Sequence, residues 1–456
     1  MTEPTWSSTV VKAAERRRKT PQRWVGNLVL LVASALFVLA LGFAVSQDSQ
    51  SSLQSTSGIL DVIGRLSGMA GAVGMAFMVL LVIRIPALER SVGQDRLVKW
   101  HRTIGGWPII LVALHIVTIT WGYAAVVHSG VIHQFLVFFF HSPDIMMATV
   151  SFGLLVLAGV TSYNKARRKL KYETWWSIHL YLYLALALSV AHQVRTGIMF
   201  LPSPHAVRVW VALWIALGAL AIASRVLYPV VTNLRLGLRV VSVEETAPDV
   251  HTVIMRGRRV ERLAVDGGQF FQWRFNHPGL RWESHPYSLS AMPRPPFLRV
   301  TIKSLGDQSR AIRDLAPGTR VFVEGPYGTF SRHALQSDHV TLIGAGVGVT
   351  PLVALLEDLP PRVTPTFLVR ARTVDDIVHR SDIADLVKRT GGQLHEVIGS
   401  RHDVPLTPER LLELSPRIAS GDVYVCGPAD FTRAVVESLR ALNVSSGQIH
   451  SEEFSF

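Results

Sequence analysis

The chain has one cysteine, Cys426, in 456 residues. A lone thiol excludes an internal disulfide, a thiolate zinc site and the C-x-x-C-H attachment of a c-type haem. Charge is scarce too: 17% of residues are charged, against a usual share of about 25% in soluble domains. With 49% apolar residues beside it, that deficit excludes an ordinary soluble enzyme, and the same figures exclude a disordered chain. No collagen-like period or internal repeat is present. The length excludes a single small module and leaves room for roughly two to four domains. Acidic residues are the minority, 33 against 46 Lys and Arg, for a net charge of +13. Membrane topology accounts for that surplus better than nucleic acid does, and no nucleic-acid partner is expected.

Long apolar runs are what the chain has in abundance. After a basic stretch over 1–24 (Lys12, Arg16, Arg17, Arg18, Lys19, Arg23), they recur at 25–46, 59–83, 103–127, 145–163, 176–194 and 207–229. Each is near or above the ~20 residues that cross the hydrocarbon core, so six spans in a lipid bilayer are expected. The first run outlasts a signal-peptide h-region and reads as an uncleaved span. The 84–102 and 164–173 loops are rich in Lys and Arg, whereas the segment between the third and fourth runs has none. The positive-inside rule then places both termini in the cytoplasm, and the plasma (inner) membrane is the expected location.

Past residue 233 the texture changes. Short β-rich runs (RVVSVEE, HTVIMRG, FFQWRF, LRVTIKS, RVFVEG) point to a small antiparallel barrel. From residue 339 strands alternate with helical stretches (VTLIG, PLVALLEDL, TFLVRA, DIADLVKRT, DVYVCG, FTRAVVESLRAL), the pattern of a parallel α/β sheet. The expected architecture is multidomain: a tail over 1–24, a six-helix transmembrane bundle over 25–232, an antiparallel β-barrel over 233–336 and an α/β domain over 337–456.

Four histidines fall at the ends of two spans. His101 and His115 bracket the third, and His179 and His192 the fifth. Ionisable groups inside a span are costly and point to function, and histidine is the usual nitrogen ligand of haem iron. The spacing of fourteen in the third span is about 21 Å of rise, with both side chains facing nearly the same way. The spacing of thirteen in the fifth leaves a rotational shortfall of roughly 140°, to be met by local tightening or by approach from different sides. The two spans run in the same direction, so depth pairs His101 with His179 and His115 with His192. Two bis-histidine b-type haems, one near each leaflet, are expected. His128, His133 and His141 near the outer loop read as surface residues or as a weak metal or acceptor site. Arg195 suits a haem propionate, an anionic acceptor or plain interfacial snorkelling.

In the second half, His285-Pro286-Tyr287-Ser288 lies between strands. Tyr287 offers an aromatic plane to an isoalloxazine, and Ser288 a hydroxyl to its redox nitrogen. Downstream, Lys303, Gly306 and Ser309 stand at the start of a probable helix (AIRDL), where amides and a cation suit a diphosphate. In TLIGAGVGVTPL a buried strand runs into Gly344, Gly346 and Gly348, with Thr350 as N-cap and Pro351 as first helical residue. The spacing departs from G-x-G-x-x-G, so the usual dinucleotide fingerprint is not met. Cys426 and Gly427 follow another buried strand, where the chain would emerge beside a nicotinamide. Ser288 and Cys426 are the candidate catalytic residues.

These motifs in this order, HPYSLS, the G-x-x-S turn, GAGVGVTP, CGP and a terminal aromatic, resemble the ferredoxin–NADP reductase superfamily. With six spans and paired histidines ahead of them, residues 25–456 resemble the ferric reductase and NADPH oxidase family of transmembrane flavocytochromes. The resemblance implies haem iron held by His101, His115, His179 and His192. It implies FAD on His285, Pro286, Tyr287, Ser288, Lys303, Gly306 and Ser309, with Phe454 or Phe456 over the flavin. It implies NAD(P)H on Gly344, Gly346, Gly348, Thr350, Pro351, Cys426 and Gly427. His285 stands where the soluble reductases carry arginine, a variant the transmembrane members share. Arg370, Arg372 and Arg380 follow the second strand of the last domain, and no acidic residue ends that strand to hold a ribose diol, which tilts the donor toward NADPH over NADH. The expected function is electron transfer from cytoplasmic NAD(P)H through FAD and two b-type haems to ferric iron or dioxygen outside. A tethered flavin reductase without haem and a nucleotide-sensing transporter are the alternatives, the latter with no use for four matched histidines.

Overall fold

The computed structural model describes residues 23–46, 53–167, 169–197, 200, 203–281, 283–400 and 403–454. Most of the basic tail, and Phe456, lie outside them. The chain divides into two compact units that part between Leu227 and Tyr228.

The first unit is helical: α1 (Arg23–Ser46), α2 (Thr56–Val82), α3 (Pro86–Val92), α4 (Gln94–Ile104), α5 (Gly106–Val126), α6 (Val131–His141), α7 (Pro143–Ser162), α8 (Asn164–Arg167), α9 (Tyr172–Thr196) and α10 (Pro204–Ile222). Among the described residues five helices are long and apolar enough to cross a membrane: Thr56–Val82, Arg96–Val126, Pro143–Ser162, Thr174–Thr196 and Pro204–Leu236. The expected first span falls on α1, whose described apolar stretch is the shorter Leu31–Phe43.

Two connections are more ordered than their sequences imply. The 84–102 stretch, expected as a loop, forms α3 and α4. Pro86 opens α3, and Gly93 at φ 89 separates the two helices. Its charge hides the periodicity, because α4 is amphipathic and not apolar throughout. The segment between α5 and α7, expected as an outer loop, contains α6.

The second unit opens with α11 (Tyr228–Leu236), which continues the last apolar helix. It contains β1 (Arg239–Ala247), β2 (Val250–Arg256), β3 (Phe270–Phe275), β4 (His285–Ser288), β5 (Phe297–Lys303) and β6 (Val321–Tyr327), with the short helix α12 (Asp307–Arg310) between the last two. Two three-stranded antiparallel sheets form, β1-β2-β5 and β4-β3-β6. Bridges from Leu289 to Val300 and from Arg239 to Arg320 join the sheets at both edges. Alternation on β3 sends Phe271, Trp273 and Phe275 inward, where all three are buried. Each such side chain contributes about 1.5–3 kcal/mol by leaving water.

The remainder comprises β7 (His339–Ala345), α13 (Val349–Asp358), β8 (Thr364–Ala371), α14 (Arg380–Thr390), β9 (Gln393–Ile398), α15 (Pro408–Leu414), β10 (Asp422–Pro428), α16 (Ala429–Ala441) and β11 (Ile449–Phe454). The five strands are parallel, in the order β11-β10-β7-β8-β9. β7 and β10 read as near-continuous apolar runs because both faces of the sheet are covered. Strand order reverses between β7 and β10, and a ligand crevice forms outside the carboxyl ends of strands at such a switch point.

Candidate functional site

In the helical unit the four candidate histidines form two pairs. The rings of His101 and His179 lie 6.2 Å apart at 69°. Two imidazoles bound to one metal through bonds of about 2.0 Å hold their ring centres roughly 6 Å apart, so the pair suits an iron between its Nε2 atoms. His192 lies within electrostatic reach of His115.

Neighbouring groups fix the tautomers. His101 Nδ1 is 3.2 Å from the Met78 carbonyl, and His115 Nδ1 is 2.7 Å from the Gly64 carbonyl. A carbonyl only accepts, so each Nδ1 carries the proton and each Nε2 keeps its lone pair for a metal. Thr196 Oγ1 donates to the His192 carbonyl at 2.8 Å and therefore accepts from His192 Nδ1 at 2.9 Å. His179 is held by Trp175, stacked at 5.0 Å, and by Ser162, whose hydroxyl accepts from Trp175 Nε1 at 3.1 Å.

Glycines on α2 make room for these rings. A methyl on Gly68 would lie 2.6 Å from His115 Nδ1. α9 is an unbroken α-helix from Tyr172 to Thr196, so no local tightening makes up the rotation between His179 and His192, and the two leave it on different faces. Arg195 forms an ion pair with Asp144 at 3.0 Å. His128 and His133 are exposed, and His141 Nδ1 donates to the Val137 carbonyl at 3.2 Å. Among the described residues no group of three His, Cys, Asp or Glu side chains is placed to hold a metal.

In the second unit β4 sets His285 and Tyr287 two residues apart on one strand face, rings 6.0 Å apart and stacked at 23°. The Tyr287 carbonyl accepts from Trp273 Nε1 at 2.8 Å, which fixes the strand over the core. Burial pushes the Tyr287 phenol up to about 12 and pulls the His285 imidazole below its usual value. Ser288 is buried. His285 Nε2 is buried without a partner among the described residues. A buried, unsatisfied ring nitrogen beside a half-buried aromatic ring suits a planar, polar-edged group such as an isoalloxazine.

The G-x-x-S turn departs from expectation. The amides of Leu305 and Gly306 donate to Ser309 Oγ at 2.8 and 2.9 Å, so they serve the turn itself and not a diphosphate. The helix expected there is four α-helical residues followed by a 3-10 turn over Ala311–Asp314. Lys303 stands exposed at the end of β5.

The glycine loop after β7 lies at the switch point. Gly346 has φ +55, and the N-cap of α13 is Gly348. Thr350, expected as N-cap, is inside the helix with Pro351, and its hydroxyl donates to the Val347 carbonyl at 2.8 Å. The start of α13 thus has no side-chain cap; a 3-10 turn over Gly346–Gly348 leads into it, and the Val349 amide bonds back to the Gly346 and Val347 carbonyls. Gly348 packs on the strand end that carries Cys426 and Gly427. Cys426 is fully buried, and burial, helped by Glu452, pushes its thiol up. β11 sets Glu452 beside Cys426 and Phe454 beside Pro428.

Of the expected phosphate-binding arginines, Arg370 is buried, donating to the carbonyls of Val404 and Gly399. Arg380 forms a two-pronged pair with Glu396 at 2.8 and 2.9 Å. Arg372 is exposed at the end of β8 and has no partner among the described residues.

A cluster that sequence reasoning missed lies just beyond β4. Arg299 donates to the Ser290 carbonyl and to Asp382, both at 2.7 Å. Thr301 Oγ1 donates to Ser290 Oγ at 2.9 Å and lies 2.8 Å from His379 Nε2. Its members are far apart in sequence and carry no motif; the one local signal is a charged residue inside an otherwise apolar strand.

Residues 67–190 match the family described as ferric reductase like transmembrane component, and residues 236–331 match an FAD-binding domain. The glycine betaine monooxygenase reductase subunit of Chromohalobacter salexigens is 26% identical over 240 residues, 49% of this chain and 65% of that protein. NADPH oxidase 1 of Mus musculus is 35% identical over 107 residues, 22% of this chain and 18% of the oxidase. A crystal structure of an Amycolatopsis cytochrome P450 reductase matches with 22% identity and a TM-score of 0.42, over 48% of this chain and 69% of that one. The chain therefore spans just under two thirds of the first of these proteins and less than a fifth of the second.

Proposed function

We propose that this chain, a ferric reductase-like transmembrane component joined to an FAD-binding domain, carries electrons from NAD(P)H on the cytoplasmic side to ferric iron or dioxygen on the other. Bound FAD would take two electrons as a hydride and release them singly, and two b-type haems would relay them across the bilayer. His101 with His179 would hold the haem nearer the cytoplasm, and His115 with His192 the outer one. The chain then crosses six times, α1 being the first crossing, with both termini cytoplasmic.

The residues do the positioning. Met78, Gly64 and Thr196 keep the imidazole protons on Nδ1, so that Nε2 is available without a proton leaving. Tyr287, neutral up to about pH 12 because it is buried, presents a flat uncharged face to the flavin. Ser288 would offer its hydroxyl at the flavin edge. The uncapped start of α13 and the glycines before it would take the pyrophosphate, Cys426 and Gly427 would flank the nicotinamide, and Phe454 would cover the flavin. Arg372 is the arginine left for a 2′-phosphate, which favours NADPH.

The pairing of His101 with His179 at haem-like separation is the observation that supports this reading over a tethered flavin reductase without haem. A visible spectrum of the detergent-purified full chain tests it. A reduced-minus-oxidised b-type difference at about two haems per FAD is expected. Flavin absorbance alone, after growth with ample haem, overturns it. Parallel rates with superoxide-specific and ferrous-specific probes identify the acceptor.

A further inference from the structure

The last turn of α13 meets the β-strand lobe through three sets of contacts. Gly267 packs directly on it: a methyl there would overlap the Ala354 carbonyl and lie 2.7 Å from Leu355 Cα. The Gly267 amide donates to Asp358 Oδ2 at 3.0 Å, and Asp358 also pairs with Arg332 at 3.4 Å. Glu357 accepts from the Met292 amide at 2.9 Å and from Arg294 at 3.0 Å.

The two loops so gripped are not arbitrary. Gly267 lies three residues before β3, and Met292 four residues after β4. Those strands pair with each other, Phe270 opposite Ser288. The opposite end of α13, about 15 Å away for ten residues, starts at the glycine loop. One short helix therefore has the glycine loop at its first turn and, at its last, loops next to two of the three strands of the flavin sheet.

We propose that Glu357 and Asp358 are positioning residues for hydride transfer, which fix the nucleotide helix α13 to the loops flanking β3 and β4. The proposal rests on the assignment of β4 to flavin and of the α13 start to NAD(P)H. In that transfer the nicotinamide C–H bond breaks, and its hydrogen and electron pair form a new N–H bond on the flavin. The nicotinamide is oxidised as the flavin is reduced. The rate depends steeply on the distance and angle between the two rings, and a misplacement of about 1 Å can cost two orders of magnitude. The carboxylates bond the backbone amides of Gly267 and Met292, and their effect would run through those two loops.

The test is anaerobic stopped-flow reduction of the flavin by NADPH in the full-length purified protein, comparing wild type with Glu357→Gln and Gly267→Ala. Glu357→Gln keeps size and shape while weakening both hydrogen bonds, and Gly267→Ala pushes the loop off the helix without changing charge. Expected are unchanged flavin content, NADPH dissociation constants within about twofold, saturating reduction rates lowered roughly tenfold, and a weaker nicotinamide–flavin charge-transfer band. Saturating rates equal to wild type overturn the proposal, as does a change in dissociation constant alone or a loss of flavin in step with rate. A wild-type chain whose flavin NADPH cannot reduce overturns the functional reading beneath it.

Discussion

Gly348 has no space for a side chain because the backbone of Cys426 and Gly427 lies against it: an added methyl would overlap the Cys426 carbonyl and sit 2.7 Å from Gly427 Cα. The loop after β7 and the end of β10 are thereby locked together at the point where strand order reverses. Gly348→Ala is expected to spread them and raise the NADPH KM at least tenfold while flavin content holds. NADPH titration of flavin reduction in the purified chain measures this. A variant with the wild-type KM would mean that this loop and the end of β10 are not one binding surface.

Gly68 does for an imidazole what Gly348 does for a backbone. Its missing side chain is the space that His115 fills, and Gly68→Ala is expected to turn the ring away from His192. The Soret absorbance per flavin should fall by about half, because one of two haems is lost. His115→Leu should give the same spectrum, and both variants should still reduce soluble dyes through the flavin. Full haem content in Gly68→Ala would remove His115 from the ligand set.

Arg370 and Arg372 differ by two residues and should behave oppositely. Arg372→Ala is expected to raise the KM for NADPH about tenfold, the loss of about 1.4 kcal/mol, and leave NADH unchanged. Arg370→Ala leaves the Val404 and Gly399 carbonyls without their donor and should lower the melting temperature with no change in nucleotide preference. Steady-state kinetics with both nucleotides, beside thermal melts, separate the two.

Stability should fall as the solution is acidified, through His379. Burial, reinforced by Arg299 and opposed by Asp382, pushes this imidazole from 6.5 down to about 3. Above about pH 6.5 it is neutral in folded and unfolded chains alike, and no difference arises. Between about 6.5 and about 3 the unfolded chain takes up a proton that the folded chain refuses, at about 1.4 kcal/mol per pH unit. Melts from about pH 7 to about pH 5 should show this slope, and His379→Gln should flatten it. An equal slope in the variant would assign the acid sensitivity elsewhere.

The parts of the molecule legible in sequence were those set by local periodicity. Apolar run lengths marked the long helices, and the alternation from VTLIG to DVYVCG marked the parallel sheet with its glycine loop. Run length says little about helices that are short or amphipathic, so α4 and α6 carry no signal that separates them from loops. Hydrogen bonds were less legible still. Arg370 looked like a phosphate ligand because it follows a strand, yet its side chain turns into a loop thirty residues on. Ser309 looked like a phosphate donor, but its own turn competes for the same amides. The Arg299 cluster depends on α14, β5 and the loop beyond β4 meeting, which no short pattern encodes. The glycine spacing on α2, Gly64, Gly68 and Gly71, was visible as a small-residue face and would have marked the surface against which His115 rests.

The chain's only native thiol is walled in at the end of β10, out of reach of solvent. A reporter cysteine introduced on either face of the bilayer would therefore be the sole residue to react with a maleimide dye. The unaltered protein is its own silent background for fluorescence mapping of which loops lie on which side.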